Sequence, residues 1–306
     1  MNVLEIRNLN KKFGEQTVIQ NLNVTIPENS VFGFLGQNGA GKTTTMKMIL
    51  GLLKADSGEI RVCGEKVEYG QNMTNRYIGY LPDVPEYYGY MSSLEYLKFC
   101  GKITGMKRDE IKRKSDELIE MVGLGESRKK RIGSFSRGMK QRLGIAQGLL
   151  NSPKLLICDE PTSALDPIGR NEILNLLSYG SCKTTILFST HILSDVEKIC
   201  RDIAILHNGR VVLSGPIDKI KSEHNTNLVE VRFSSVDDIE QFLNLKDVQK
   251  YRCEVDREKR HVILHGSNQE EIVQKLIEIL YQSGIVPSGV NCLEPSLDSL
   301  FSEVVR

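Results

Sequence analysis

The chain has 306 residues, which is long enough for one large domain with a sizeable core and a smaller second domain. Lys and Arg total 40 against 39 Asp and Glu, so the chain lacks the cationic excess that binding to nucleic acid phosphates requires, and we expect no nucleic acid partner. Seven scattered cysteines without CxxC spacing exclude a disulfide framework and a zinc site, and the absence of long apolar runs or a signal segment makes any membrane role indirect.

The first fifty residues predict β structure followed by a strand, a glycine-rich loop and a helix. Residues 3–7 and 24–26 alternate apolar and polar side chains as half-buried strands do. Residues 31–35 indicate a buried strand that ends in glycine, and helical spacing of apolar residues begins after Thr43. Strand, glycine loop and helix in this order are what a phosphate site requires.

Residues 36–43 read GQNGAGKT and match the phosphate-loop pattern G-x-x-x-x-G-K-[ST]. The glycines allow backbone N–H groups to face phosphate oxygens, Lys42 would offset phosphate charge and Thr43 would bind magnesium. By itself this loop, which we call the phosphate loop, indicates only a nucleotide. The residues predicted to bind nucleotide here are Gly36, Asn38, Gly39, Gly41, Lys42, Thr43 and Thr44.

The middle of the chain predicts a helical insertion and then alternating strands and helices. Residues 92–150 are charged and have apolar positions at helical spacing. Residues 155–158 and 185–188 are short apolar runs separated by a helical stretch at about 169–177, which indicates parallel α/β architecture. We expect this core to close near residue 220.

The last part of the chain predicts a small α+β domain. Strands are expected at 228–233, 262–264 and 285–290, with an amphipathic helix at 270–281. The polar stretch 221–227 predicts a linker. One face of the helix is expected to pack against the small sheet, and it carries Ile272, Leu276, Ile279 and Leu280.

Two carboxylates end the predicted strand at 155–158. We expect Asp159 to bind magnesium and Glu160 to polarise the attacking water as a general base, the division of roles that phosphoryl transfer to water needs. An apolar run followed by Asp and Glu is also common at ordinary strand ends. The phosphate loop upstream and the PTSALD run at 161–166 favour the catalytic interpretation.

Residues 135–142 read FSRGMKQR and precede a helix-periodic run. Ser136 is suited to cap the helix and Gly138 leaves its first turn open to an anion. This segment resembles the signature motif of ABC ATPases in the variant form S-x-G-M-x-Q. The resemblance implies that Ser136 and Gly138 contact the γ-phosphate of ATP held by an opposite subunit, and therefore a homodimer or a pair with a paralogous ATPase.

The resemblance covers about residues 3–220, with the motifs in the family's order. It implies an α/β fold with a P-loop NTPase core, an antiparallel β subdomain and a helical insertion at about 84–150. The expected domains are an ABC ATPase domain of residues 1–220 and an accessory α+β domain of residues 221–306. ATP and Mg²⁺ are the implied cofactors.

Further site residues follow from the resemblance by position. Phe13 matches the aromatic residue that stacks on adenine, with a core phenylalanine as the less favoured alternative. His191 matches a switch histidine at the γ-phosphate, although a lone histidine at a strand end is usually structural. Asp166 matches an aspartate that crosses between subunits.

The sequence departs from the family pattern at Asp83, where a magnesium-contacting glutamine is usual. A carboxylate can bind magnesium but lacks the amide's donor, so its coupling role is open. Residues 85–91, with tyrosines at 87, 88 and 90, match the surface that faces the membrane subunit, or are ordinary surface tyrosines.

The resemblance extends to ATPases of antibiotic exporters, including the bacitracin-resistance type, through the signature variant, the residues around Asp83 and the segment 294–301. It implies an ATP-hydrolysing subunit that powers export through separate membrane permease subunits, peripheral on the cytoplasmic face of the membrane. Two alternatives are a soluble ABC ATPase without a transport role and a nucleotide-switched module without hydrolysis. Lys42 and Ser136 are 94 positions apart (136 minus 42), which leaves no room for a long coiled-coil insertion, and Glu160 with His191 favours hydrolysis.

Overall fold

The computed structural model of the chain describes residues 2–180, 184–223, 227–266, 268–293 and 297–304. These residues form two compact units, one within Met1–Ile217 and one within Asp218–Glu303. The predicted linker at 221–227 and the segment at 294–301 lie partly outside the described residues. Within these ranges no helix is both long and apolar enough to cross a bilayer.

Ten strands and seven α-helices are described up to residue 223. The strands are β1 (Asn2–Phe13), β2 (Gln16–Pro27), β3 (Val31–Leu35), β4 (Ser57–Val62), β5 (Glu65–Lys66), β6 (Ile78–Leu81), β7 (Leu155–Asp159), β8 (Thr185–Thr190), β9 (Asp202–His207) and β10 (Arg210–Pro216). The helices are α1 (Lys42–Ile49), α2 (Ser93–Ile103), α3 (Arg108–Met121), α4 (Arg137–Leu149), α5 (Pro167–Gly180), α6 (Leu193–Ile199) and α7 (Ile217–Glu223).

The central sheet of the first unit has the strand order β10-β9-β3-β8-β7-β6. Every residue of β3, β7 and β8 is buried, as the uninterrupted apolar runs of the sequence predict for parallel strands covered on both faces. All neighbours in this sheet pair in parallel except β10, which is antiparallel to β9 at the edge. The carboxyl ends of β3, β7 and β8 therefore meet at one edge of the sheet.

A second sheet in this unit has the order β2-β1-β4-β5 and is antiparallel throughout. Leu4 and Ile6 of β1 and Ile26 of β2 are buried in a core that this sheet shares with the central sheet and α1. The expected antiparallel β subdomain is confirmed. Phe13 lies at the end of β1, where that strand turns into β2.

The helical insertion predicted at residues 92–150 is confirmed as α2, α3 and α4. Helix α2 begins at a capping box in which Ser92 and Glu95 each satisfy a backbone N–H of the other. Helix α4 passes so close to β6 that a Cβ atom on Gly79 would lie 2.1 Å from the Gly148 carbonyl oxygen. This close approach fixes α4 against the central sheet.

The second unit contains β11 (Leu228–Arg232), α8 (Val236–Leu243), β12 (Arg252–Asp256), β13 (His261–His265), α9 (Gln269–Ser283), β14 (Gly289–Leu293) and α10 (Leu297–Val304). Before the last helix, the element order is β-α-β-β-α-β and the antiparallel sheet is ordered β12-β13-β11-β14, which is the arrangement of ferredoxin-like folds. A small hydrophobic core of its own includes Ile272, Leu276 and Leu280, with Ile279 packed beside it, as predicted.

The strand predicted at residues 285–290 is wrong in its position, since β14 begins only at Gly289. Gly284 ends α9 with a φ of 72°, and Ile285 is buried in the loop that follows. Val286 is 79% exposed and Pro287 has no N–H group to donate to a sheet. Of the apolar run at 285–287, only Ile285 therefore joins the core, and it does so from a loop.

Candidate functional site

The phosphate loop joins β3 to the start of α1 at the edge where the parallel strands end. Gly41 has a φ of 107°, and a Cβ atom there would lie 2.5 Å from Ile19 Cδ1. At Gly36 a Cβ atom would lie 2.6 Å from the Leu206 carbonyl oxygen. Packing thus excludes a side chain at both glycines, and the backbone conformation also disfavours one at Gly41. Residues 37–39, including Asn38 and Gly39, remain exposed to solvent. The outer rim of the loop is open to a ligand.

Lys42 is buried inside this loop with its ammonium group turned back towards the backbone. Its Nζ donates hydrogen bonds to the Gly36 oxygen at 2.6 Å and the Gln37 oxygen at 3.3 Å. Its Nζ also lies 3.1 Å from Oε1 of Glu160, an ion pair that lacks the angles of a hydrogen bond. A buried cation held by carbonyl oxygens and one carboxylate is well placed to exchange these partners for phosphate oxygens.

Thr43 and Asp159 are brought together although they are far apart in sequence. The Thr43 hydroxyl donates to Asp159 Oδ2 at 2.8 Å, and Ser189 on β8 donates to Oδ1 at 2.7 Å. Asp159 is only 2% exposed, so little water competes for its carboxylate and these two hydroxyls orient it. A hydroxyl beside a carboxylate is a set of hard oxygen donors that fits Mg²⁺. Thr44, the next residue of α1, is half-buried.

Glu160 follows β7 directly and has a left-handed φ of 49°, which costs on the order of 1–2 kcal/mol for a residue with a side chain. Its N–H group donates to both the carbonyl and the hydroxyl oxygen of Ser189, each at 3.1 Å, and this holds the strained turn. The Oε2 atom lies 2.8 Å from Nδ1 of His191. Glu160 and His191 therefore form a contact next to the phosphate loop, with the imidazole 45% exposed.

Phe13 presents its ring to solvent at the end of β1 with 49% of the residue exposed, which excludes the core-phenylalanine interpretation. The Lys11 ammonium lies 5.1 Å from the ring centroid. Lys11 itself is held by an ion pair to Asp56 at 2.9 Å, so the cation keeps a fixed place beside the ring. An exposed aromatic face of this kind is available for stacking.

Ser136 caps α4 as predicted, since its Oγ accepts a hydrogen bond from the Met139 N–H at 3.2 Å. A Cβ atom on Gly138 would find its nearest neighbour, a Leu165 methyl, at 3.9 Å, so packing within the chain does not require glycine there. Both residues line a groove of about 470 Å³ with Asp166, and the groove lining includes no residue of the phosphate loop. Within one chain, the start of the signature motif, residues 136–141, thus faces a groove that the phosphate loop does not line.

Asp166 is exposed, and its Oδ1 accepts a hydrogen bond from the Gly169 N–H at 3.2 Å in the first turn of α5. Its carboxylate therefore caps that helix within the chain. The role between subunits that the resemblance implies stays a prediction.

Asp83 has partners other than Thr43 and Asp159, the residues that fit magnesium. Its carboxylate accepts a hydrogen bond from Ser163 at 2.7 Å and lies 3.6 Å from the Arg137 guanidinium. Burial raises the pKa of Tyr80 to about 12, and the charges of Asp159 and Asp83 add to this increase, so both carboxylates act on one hydroxyl. Magnesium binding by Asp83 stays a prediction.

Two features of the site have no clear signal in the sequence. Ser189 orients both Asp159 and Glu160, yet a serine within an apolar strand is unremarkable by itself. Asp195 on α6 is fully buried and accepts a hydrogen bond from Thr162 at 2.8 Å, with Arg170 3.9 Å away. This buried contact links the segment after Glu160 to the helix after His191.

Comparison with known proteins gives concordant matches. The family model described as ABC transporter matches residues 19–163. The chain is 35% identical to the bacitracin transport ATP-binding protein BcrA of Bacillus licheniformis, over 99% of this chain and 97% of that protein. The chain belongs to the ABC transporter ATP-binding protein family. It binds ATP and is an ATPase.

Other members of the ABC transporter ATP-binding family show how far the likeness extends. The linearmycin resistance ATP-binding protein LnrL of Bacillus subtilis is 30% identical over 98% of this chain and 97% of its own length. A solved structure of cbiO1 from Clostridium perfringens, described as part of the ABC transporter complex cbiONQ, has a TM-score of 0.67 and 29% identity. That likeness covers 72% of this chain and 91% of cbiO1, whereas BcrA and LnrL match nearly the whole chain, including the second unit.

Proposed function

We propose that the chain is the motor subunit of a transporter, in which two ATP-binding subunits hydrolyse ATP beneath separate membrane permease subunits. One observation carries the proposal: Lys42, Glu160 and His191 converge on the phosphate loop, while Ser136 and Gly138 line a separate groove of the same chain. One copy thus carries two different half-sites, one at the phosphate loop and one at the signature motif. Two copies arranged head to tail, or one copy with a paralogue, would complete two composite sites.

Within each site the residues have distinct roles. Lys42 and the phosphate-loop N–H groups bind the phosphates, and Thr43 with Asp159 would hold magnesium, which when bound neutralises phosphate charge. Glu160 accepts a proton from the attacking water, and His191 orients that carboxylate through its contact at 2.8 Å. Ser136 and Gly138 of the second copy would bind the γ-phosphate from the opposite side.

Adenine stacking on Phe13 gives a testable consequence. Replacing Phe13 by Ala is expected to weaken ATP binding by roughly 10-fold, because base–aromatic stacking contributes about 1–3 kcal/mol per base. Phe13→Tyr should retain binding, since its ring is preserved. Titration with a fluorescent ATP analogue measures both constants, and equal affinity of the alanine variant and the unmodified chain would remove Phe13 from the site.

The transport direction and cargo class are proposed from the relatives. BcrA is named for bacitracin transport and LnrL for linearmycin resistance, and both match nearly the full length of this chain. We infer export of an antibiotic-type compound, with this subunit peripheral on the cytoplasmic face of the cell membrane. Its permease should be the membrane protein that co-purifies with it, and that protein should stimulate phosphate release from ATP. Phosphate release that is unaffected by any co-purifying membrane protein would favour the soluble, non-transport alternative.

The segment at 85–91 supports a permease contact. Tyr88 is 50% exposed and Tyr90 is 68% exposed, whereas Tyr87 is half-buried and donates its hydroxyl hydrogen to the Lys140 oxygen at 2.7 Å. Only Tyr88 and Tyr90 are thus available as contact residues, and Tyr87 supports the segment from below. The exposed pair has ring centroids 5.9 Å apart, which suits a partly wet interface with apolar anchors.

The second unit is proposed to regulate or support the dimer. It has its own core and contains none of the ATPase motifs. A chain that ends near Ser222 should therefore still bind ATP with an affinity within about 3-fold of the full chain, while its dimerisation or its stimulation by the permease falls. If the shortened chain has the circular dichroism of a folded core and yet binds no ATP, the second unit contributes to the nucleotide site.

A further inference from the structure

Asp83 is attached to helix α4 at two points. Its main-chain oxygen accepts a hydrogen bond from the side-chain amide of Gln141 at 2.9 Å, and Gln141 is fully buried. Its carboxylate lies 3.6 Å from the guanidinium of Arg137. Arg137 and Gln141 are four positions apart, so both contacts come from one face of the first two turns of α4. The segment after β6 is thereby tied to the signature motif of its own chain.

Ser163 closes this contact into a three-membered cluster with Asp83 and Arg137. Its hydroxyl donates to Asp83 Oδ1 at 2.7 Å and accepts a hydrogen bond from Arg137 Nη2 at 3.1 Å. The Ser163 N–H also donates to the Glu160 carbonyl oxygen at 3.0 Å. The Asp83 cluster, meaning Asp83, Arg137 and Ser163, thus joins the segment after β6, the start of α4 and the turn that contains the proposed base.

The chemistry of the Asp83 cluster fits a carboxylate. A carboxylate only accepts hydrogen bonds, and its two neighbours, a hydroxyl and a guanidinium, are both able to donate. A glutamine at this position would add a donor that Arg137 cannot accept. The departure from the family pattern at Asp83 is therefore matched by donors on two other segments.

Stability alone does not explain the cluster. Asp83 and Arg137 are 48% and 45% exposed, and ion pairs of this exposure contribute little to folding. Arg137 lies directly between Ser136 and Gly138, the residues proposed to bind the ATP of a second copy. An interaction at this turn can contribute little to folding and still control the orientation of Ser136 and Gly138 towards the ATP of a second copy.

We propose that Asp83 is a positioning residue that holds the first turn of α4, through Arg137 and Ser163, in the orientation needed to bind ATP on a second copy. The inference rests on the proposed two-copy site. Asp83 then acts on the nucleotide of the second copy through α4, rather than by binding magnesium. Because Ser163 also contacts the Glu160 turn, a change in that turn would alter the orientation of α4.

The test is a double-mutant cycle with Asp83→Asn and Arg137→Gln, joined by the charge swap Asp83→Arg with Arg137→Asp. Each single variant is expected to lower kcat by roughly 3- to 10-fold. The double Asn/Gln variant should lose no more activity than either single variant, because both substitutions remove the same interaction. The magnesium concentration for half-maximal activity should stay within about 2-fold in all of them. The charge swap should regain activity relative to its own single variants.

Binding between copies is measured in parallel, in the Glu160→Gln background, by light scattering with magnesium-ATP. The Asp83→Asn and Arg137→Gln variants should need a several-fold higher protein concentration to form dimers, although a single chain binds ATP normally. The matched control is Arg113→Gln, which removes an exposed ion pair to Glu117 on α3, at 3.5 Å, and should change neither quantity.

Two results would overturn the inference. A rise of more than about 10-fold in the half-activating magnesium concentration for Asp83→Asn, but not for Arg137→Gln, would make Asp83 a metal ligand. Additive losses in the double variant would show that Asp83 and Arg137 act independently. Both outcomes are separable from a failure of the proposed function, in which the unmodified chain releases no phosphate or its Glu160→Gln variant never forms a dimer.

Discussion

Replacing Glu160 by Gln is expected to lower the rate of ATP hydrolysis by roughly 10²- to 10⁴-fold while leaving ATP binding intact, because loss of a general base removes that much rate. The amide keeps the shape of the side chain, and its oxygen can still face Lys42, whose Nζ lies 3.1 Å from Oε1. The variant should therefore bind ATP and hold it. Phosphate release and ATP titration of the same preparation measure the two effects.

Glu117→Gln on α3 is the matched control for Glu160→Gln. It makes the same chemical change on an exposed carboxylate outside the candidate site, where the side chain is 64% exposed, and should hydrolyse ATP at the unmodified rate. A Glu160→Gln variant that retains more than about a tenth of the normal rate would assign the base to another residue.

Replacing His191 by Ala is expected to lower kcat by about 10²-fold while KM for ATP changes by less than about 2-fold. The reason is the contact at 2.8 Å between Nδ1 of His191 and the Glu160 carboxylate, which orients the proposed base. The imidazole makes no described contact with Phe13 or Lys42, so nucleotide affinity should not depend on it. Steady-state kinetics over a range of ATP concentrations separates kcat from KM.

His207→Ala is the corresponding control, because His207 is also a histidine at the carboxyl end of a central-sheet strand. Its described ring contact is with the neighbouring Asn208 at 2.9 Å, away from Glu160. It should retain normal kinetics. An equal loss in both variants would mean that any histidine removed from this edge disturbs the sheet, and His191 would then be structural.

The sequence was most informative where fold and site depend on local patterns. Fully buried strands such as β3 and β7 are continuous apolar runs, and the phosphate loop is a contiguous motif between a strand and a helix. The strand predicted at 285–290 is wrong because Ile285 is buried in a loop while Val286 is exposed, and an apolar run alone does not distinguish a loop from a strand. Exposed and half-buried residues alternate along β10, so this strand has no uninterrupted apolar run and the sequence analysis does not predict it.

Contacts within the site depend on chain packing and could be predicted only in part. Motif order indicated that Thr43 and Asp159 belong to one site, but only the sheet order β3-β8-β7 shows why their side chains meet. Ser189, which donates to the other oxygen of the Asp159 carboxylate, lies on the intervening strand β8. The partners of Asp83 were unpredictable for the same reason, because Arg137 and Ser163 reach it from α4 and from the turn after Glu160.

The most direct test of the two-copy mechanism is the mass in solution of the Glu160→Gln variant with magnesium-ATP. The account predicts that ATP shifts the mass from that of one chain, 34.4 kDa, to twice that value, measured by light scattering over a range of protein concentrations. A second substitution of Ser136 by Glu, which places an anion at the signature motif, should keep the protein as one chain while ATP still binds. If the Glu160→Gln variant binds ATP and yet remains a single chain at high protein concentration, the composite site between two copies does not form.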